Sequence, residues 1–334
     1  MRKIGIIGFG RIGRIHYKSV KKIKGAEVIA VADPFADQMT EVFEEFGIDH
    51  YSNDFKAIID NPEIDTVFIC SPTDTHAKIA IEAANAGKDI FCEKPIDFDV
   101  SRVEEVLAEV KKSGVAFQVG FNRRFDPNFA KAKKATLSGE VGDVHVIKIT
   151  SRDPEAPPLS YVKSSGGIFA DMTIHDFDMA RFLAGSEPVE IYAVGDALIN
   201  KEILQYDDID TAIITIKFEN GAMAVIDNSR QAAYGYDQRI EVFGTKGMVK
   251  CENNTETQTT LFTQAGVVSD KPLYFFLERY QESFEEELVQ FFTAIETGQE
   301  TPVVGKDGLA ALLMGIAAKK SLLENRPVRI SEIY

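Results

Sequence analysis

The sequence predicts an α/β chain in two parts. A doubly wound parallel sheet covers residues 1–121, and an α+β domain with an open, largely antiparallel sheet covers 122–334. Three observations carry this. Short, fully apolar runs alternate with helical patterns as far as Val119, as in a sheet covered on both faces. A glycine-rich turn, Gly8-Phe9-Gly10-Arg11-Ile12-Gly13, follows directly on the first run. Beyond Gly120 the alternation stops, and strand-like segments succeed one another with Glu219-Asn220-Gly221 and Thr245-Lys246-Gly247 at their turns.

Taken in order, Lys3–Gly8 reads as a buried strand, and Ile12, Ile15, Val20 and Ile23 mark a helix after it. A second strand, Glu27–Ala32, ends at Asp33. The parts have the duties of a dinucleotide site. Gly8 permits the tight turn, Gly10 lets backbone N–H groups approach a pyrophosphate, and Gly13 allows helix to pack closely on strand. The helix N-terminus offers partial positive charge to phosphate. Asp33 lies 33 − 13 = 20 residues past the last glycine, where a carboxylate accepts from both ribose hydroxyls of NAD and repels the 2′-phosphate of NADP. The cofactor expected is NAD, bound through Gly8, Phe9, Gly10, Arg11, Ile12, Gly13 and Asp33.

Further strands are predicted at Thr66–Cys70, Asp89–Cys92 and Val115–Val119, and helices at Ala36–Phe46, His76–Ala86 and Val100–Lys112. Ligands of such sheets bind beyond the carboxyl ends of the strands. Two loops there join the cofactor expectation: Cys70-Ser71-Pro72-Thr73-Asp74-Thr75-His76, with Ser71, Thr73 and His76 as contacts and Thr75 as helix N-cap, and Glu93-Lys94-Pro95, which holds a lysine at a central strand end.

The second part contains the stretch on which the chemistry turns. Gly166–Leu183 reads as one helix opened by a glycine pair and apolar on both flanks, with Asp171, His175 and Asp178 on one stripe. A buried acid, imidazole and acid need partners; the alternatives are a reaction site or an ion-paired core histidine. A lysine-rich helix at Asn128–Leu137 and a strand at Val144–Thr150 precede it. Strands near 189–198, 211–218, 222–228, 238–243 and 248–251 follow, and helices at 278–296 and 305–323 close the chain.

Of 334 residues, 45% are hydrophobic and 27% charged, with net charge −15. That surface argues against nucleic acid or anionic membrane as partner. The three cysteines, Cys70, Cys92 and Cys251, lack metal-ligand spacing and read as reduced, buried thiols. No secretory segment, membrane span or internal repeat is evident, so a soluble, cytoplasmic protein is expected.

In this order, the Gly8–Gly13 loop, Asp33, Glu93-Lys94-Pro95, Gly120-Phe121-Asn122-Arg123-Arg124-Phe125-Asp126 and Asp171-x-x-x-His175 resemble the Gfo/Idh/MocA family, over essentially the whole chain. Ser151-Arg152-Asp153-Pro154 and Gly166–Leu183 look most like its inositol 2-dehydrogenases. The resemblance implies NAD-dependent oxidation of a ring alcohol, myo-inositol to 2-keto-myo-inositol (scyllo-inosose). It implies Lys94, Asp171 and His175 as the catalytic trio, which would also bind substrate, and Arg123, Asp153 and Tyr236 as polyol contacts. It also implies a homo-oligomer, dimer or tetramer, built through the open sheet face. His175 is expected to act as general base, Asp171 to orient its ring or pass the proton on, and Lys94 to hydrogen-bond the reacting oxygen.

Three rival readings are open on the sequence. One is a dehydrogenase of another polyol or sugar, such as scyllo-inositol, an aldose or an amino-sugar nucleotide. A second is a non-catalytic NAD-sensing regulator. The third is a metal site from Asp171, His175, Asp176 and Asp178; no metal is expected, because Asp176 points off the stripe.

Overall fold

Six parallel strands form the first sheet of the computed structural model, which describes residues 1–334. In chain order they are β1 (Arg2–Ile7), β2 (Ala26–Ala32), β3 (Tyr51–Ser52), β4 (Thr66–Ile69), β5 (Asp89–Cys92) and β6 (Phe117–Val119). Between them run α1 (Arg11–Val20), α2 (Thr40–Phe46), α3 (Lys56–Ile59), α4 (Thr73–Asn85) and α5 (Val100–Ser113). The spatial order is β3-β2-β1-β4-β5-β6, so the winding reverses between β1 and β4. Loops at that reversal diverge and leave the crevice in which doubly wound sheets bind nucleotides. The central strands are apolar because both faces are covered: every residue of β4 is buried, as are Ile4, Ile6 and Ile7 of β1. Asp99 caps α5 by accepting from Ser101 N–H at 2.8 Å, and Gly114, at φ 69°, ends it.

The second sheet has seven strands. Its elements begin with α6 (Pro127–Leu137), β7 (Val144–Arg152), α7 (Leu159–Ser165), α8 (Ile168–Asp171), α9 (Thr173–Ala184) and β8 (Pro188–Asp196). There follow β9 (Thr211–Phe218), β10 (Met223–Ser229), β11 (Asp237–Gly244), β12 (Met248–Cys251) and an exposed hairpin, β13 (Thr260–Thr263) with β14 (Gly266–Ser269). The chain closes with α10 (Phe276–Arg279), α11 (Gln281–Thr297), α12 (Gly305–Glu324) and β15 (Val328–Arg329). The order is β12-β11-β7-β10-β9-β8-β15, antiparallel throughout except for β7 beside β10. Strict alternation along β9 buries Ala212, Ile214, Ile216 and Phe218 and turns Ile213, Thr215 and Lys217 outward. Asp126 caps α6 through the N–H groups of Asn128 and Phe129 and pairs with the buried Arg279.

The chain divides into Met1–Asn122 with Glu282–Ala310, and Arg123–Gln281 with Ala311–Tyr334. The expected division at 121/122 therefore misses Glu282–Ala310, which belong to the first unit. The reason is apolar: Leu288, Phe291 and Phe292 of α11 are buried in the same cluster as Phe9, Phe43, Phe68 and Phe91. Phe68 and Phe292 stack with centroids 6.2 Å apart, and Phe91 meets Phe291 at 5.9 Å. Each such ring or leucine contributes roughly 1.5–3 kcal/mol by leaving water. No helix is long and apolar enough to cross a membrane.

Candidate active site

The nucleotide side is built at the winding reversal. Gly8 has φ +91°, and a Cβ there would stand 2.5 Å from Ser71 N, so the loops after β1 and β4 touch. A Cβ on Gly13 would lie 2.1 Å from Gly8 O; only glycine lets α1 approach so closely. Gly10, the N-cap of α1, meets nothing within 4 Å, and the first turn has neither a side-chain cap nor an acid. Its N–H groups and the helix dipole are therefore available to an anion. Asp33, at the end of β2, is anchored by Phe9 N–H at 2.8 Å and Phe35 N–H at 3.0 Å. Open backbone donors beside a fixed carboxylate suit a diphosphate joined to a ribose diol, and these residues fit NAD.

Other predicted contacts distribute differently. Arg11 is exposed and Ile12 half-buried. Phe9 turns its ring fully into the core against Tyr17, Phe43 and Phe46, so only its backbone lies at the loop. Helix α4 starts at Thr73, two residues before the expected cap. Thr75 instead donates to Pro72 O at 2.6 Å and lies 2.6 Å from the Ser71 hydroxyl. His76 is buried, with Nδ1 2.8 Å from Pro95 O and Nε2 2.7 Å from Ser71 O; burial favours the neutral ring, which donates to one of these carbonyls at a time. Glu93 Oε1 lies 2.7 Å from His16 Nε2. Lys94, half-buried, follows at the end of β5.

The acid–base stretch is two helices, not the single one expected. Gly166 (φ 80°) ends α7 and Gly167 (φ 84°) opens α8, where Asp208 accepts from Ile168 N–H at 2.8 Å. The run then breaks at Met172, whose φ of −95° departs from the helical value, and His175 N–H bonds Met172 O, three residues back, at 3.3 Å. Thr173 secures the second start by donating to Asn228 Oδ1 at 2.6 Å. The predicted stripe is divided accordingly. Asp171 accepts from Tyr161 OH at 2.8 Å and from Arg230 Nη1 at 2.9 Å. Asp178, buried, takes a two-pronged bond from Arg124, at 2.8 Å from Nε and 2.5 Å from Nη2. His175, four residues past Asp171 and beyond the break, is half-buried with Nδ1 enclosed.

Arg123, Asp153 and Tyr236 gather around the same charges. Arg123 Nη1 donates to Asp176 Oδ1 at 2.6 Å, and its Nη2 lies 3.5 Å from Tyr236 OH. Asp176 also accepts from Asn228 Nδ2 at 2.9 Å. Burial raises the Asp176 carboxyl, and the Arg123 guanidinium opposes it. Asp153 Oδ2 is 3.8 Å from Arg230 Nη1. Burial pushes the Asp153 carboxyl up to about 6, with Arg230 lowering it and Asp171 raising it. Of the four residues of the metal reading, Asp176 and Asp178 are each spent on their own arginine.

Sequence reasoning missed Arg230, Tyr161 and Asn228. Arg230 stands just after β10 in an unremarkable Ser229-Arg230-Gln231, and Asn228 is one inward position of a regular strand. Only the strand register brings them to Asp171, Asp153 and Thr173. Tyr161 lies in α7, a short helix for which no element was predicted.

Known proteins agree with this architecture. Residues 2–121 match the model of the oxidoreductase family with NAD-binding Rossmann fold, and 129–250 match the GFO/IDH/MocA C-terminal domain. The chain is 52% identical over 326 residues to an uncharacterized oxidoreductase of Bacillus subtilis, covering 98% of this chain and 96% of that one. It is 47% identical over 331 residues to the myo-inositol 2-dehydrogenase of Thermotoga maritima, covering 99% of each. The scyllo-inositol dehydrogenase of Lactobacillus casei, solved with NAD(H) and scyllo-inositol, superposes with TM-score 0.92 at 31% identity, covering 99% of each chain. With both domain models matched in order and full-length relatives at this identity, the chain belongs to the Gfo/Idh/MocA family of NAD-binding oxidoreductases.

Proposed function

We propose that the chain oxidises a ring hydroxyl of a cyclic polyol with NAD, converting myo-inositol to its 2-keto form. The observation that carries this is a fixed acid four residues before an imidazole: Asp171, tied by Tyr161 and Arg230, precedes the half-buried His175. Relatives that act on inositols at this identity support the substrate class.

Bound NAD supplies the acceptor for the carbinol hydride. The protein's remaining task is to take one proton from the hydroxyl as the carbonyl forms. His175 is the base, since an imidazole ordinarily titrates near the working pH. Asp171, held on two sides, orients that ring. Lys94 donates a hydrogen bond to the reacting oxygen and stabilises its negative charge as the proton leaves. Asp153 accepts from a polyol hydroxyl, with Arg123 and Tyr236 bordering the same ring.

The test is steady-state kinetics with NAD and NADP against myo-inositol, scyllo-inositol and sugars. NAD-linked oxidation of myo-inositol is expected, with His175→Ala and Lys94→Ala each lowering turnover by roughly 10²–10⁴ and leaving NAD affinity nearly intact. Near-normal turnover in both variants, or strong preference for NADP, overturns the reading.

Self-association belongs to the same proposal. The outward face of the second sheet exposes Val194, Ile213, Met223, Phe243 and Met248, more apolar surface than one acidic chain gains from leaving in water. Its occupant is a second copy, giving a dimer or tetramer in the cytoplasm. Light scattering should show a multimer that Ile213→Lys with Met223→Lys reduces.

A further inference from the structure

Lys94 is flanked by two residues, and each is held by a buried imidazole from a different helix. On one side Glu93 Oε1 lies 2.7 Å from Nε2 of His16, which α1 places at 0% exposure. The His16 ring is itself walled by the edges of Phe68, Phe91 and Phe284, at centroid distances of 5.9, 4.9 and 5.8 Å. On the other side Pro95 O lies 2.8 Å from Nδ1 of His76, which α4 places at 1% exposure. The second nitrogen of His76 lies 2.7 Å from Ser71 O, so the ring sits between the β4 loop and the β5 loop. Behind Glu93, a Cβ at Gly120 would stand only 3.1 Å from its carboxylate, which leaves the carboxylate no room on that side.

We propose that His16 and His76 are positioning residues for Lys94: they fix the backbone on either side of it and thereby aim its ammonium group. The inference rests on the reading of Lys94 as the donor to the reacting oxygen. A lysine side chain is long and freely rotating, so the aim of its ammonium begins with where its Cα is held. Displacing a reacting group by about 1 Å costs roughly 100-fold in rate. Neither imidazole is needed to hold the sheet, whose strands are already paired on both sides of β5. An apolar ring would fill either site as well; what it would lack is the bond to Glu93 or to Pro95.

The experiment compares His76→Phe and His16→Phe in the full chain, alone and combined with Lys94→Ala. Hydride transfer is followed in single turnovers, so that losses of roughly 10⁴ remain readable. Each single variant should lower the rate about 10–100-fold while KM for the polyol and Kd for NAD change less than about threefold. In the Lys94→Ala background the same substitutions should change the rate by less than about twofold, because a group acting only through Lys94 has nothing left to act on. His16→Gln and His76→Gln, which keep a side-chain N–H, should recover part of the loss and serve if either Phe variant fails to fold. Equal losses with and without Lys94, or no loss at all in the single variants, overturn the proposal. A Lys94→Ala enzyme of normal rate instead overturns the role of Lys94 itself, so the two failures are distinct.

Discussion

Arg230 Nη1 donates to Asp171 Oδ2 at 2.9 Å across 59 residues of chain, and the same nitrogen lies 3.8 Å from Asp153 Oδ2. One guanidinium with 3% of its side chain exposed therefore neutralises two carboxylates proposed for base orientation and polyol contact. Removing it strands both. Arg230→Met should cost about 3–5 kcal/mol of stability, the usual result of breaking a buried pair from one side. Turnover should fall by at least tenfold, and Arg230→Lys should return part of both. Urea unfolding beside kinetics checks this; an unfolding midpoint equal to that of the parent refutes the structural part.

Asp153 supplies a pH dependence. Its carboxyl titrates at about 6, raised chiefly by burial. Above that pH it is a charged acceptor for a hydroxyl; as pH falls through about 6 it gains a proton, loses its charge and accepts more weakly. The affinity of the enzyme–NADH complex for myo-inositol, where no chemistry occurs, should weaken from pH 7 to pH 5. Asp153→Asn should bind less well and flatten the profile. Calorimetric titration across that range decides it, and a profile of unchanged shape in the variant would remove Asp153 from the polyol contact.

Glu287 has a consequence for stability. It is fully buried on α11, and burial, reinforced by Glu93, holds its carboxyl well above the ordinary value. Below the unfolded-state value the proton is bound in both states and pH has no effect. Above it the unfolded chain releases the proton while the folded chain keeps it. Stability therefore declines as pH rises, by up to about 1.4 kcal/mol per unit, until the folded group also ionises. Glu287→Gln should abolish that slope and be more stable than the parent at pH 8. Melting temperatures of the two proteins at pH 5 and pH 8 measure the difference; parallel curves would show that Glu287 is ionised in the fold.

Gly13→Ala tests the cofactor loop. The added methyl would meet Gly8 O at 2.1 Å, so α1 must retreat from β1. Overpacking of this kind costs about 1–3 kcal/mol. NAD affinity should fall at least tenfold through displacement of the helix N-terminus, with Gly10→Ala milder in stability because that position is open. Fluorescence titration with NADH and thermal unfolding separate the two effects.

How much was legible in the sequence differs between the two units. Apolar runs of four to six residues located β1, β4 and β5, because local pattern and burial coincide there. The same logic could not see Tyr51–Ser52, whose two residues carry no periodicity. It joined α8 to α9, since the apolar pattern runs through Met172 while the break lies in a backbone angle. It assigned α11 to the wrong unit, because an amphipathic helix announces an apolar face but not the surface that receives it.

The sequence by itself determined that a dinucleotide loop follows the first strand and made Lys94, Asp171 and His175 the candidate reactive groups. The loop follows from residue type at short spacing, and the three candidates from resemblance to a family. The tertiary structure alone decided that Asp171 answers to Arg230, Asp176 to Arg123 and Asp178 to Arg124. Buried charges must find partners wherever strand register and helix packing bring them, and that matching between distant segments is written in no local pattern.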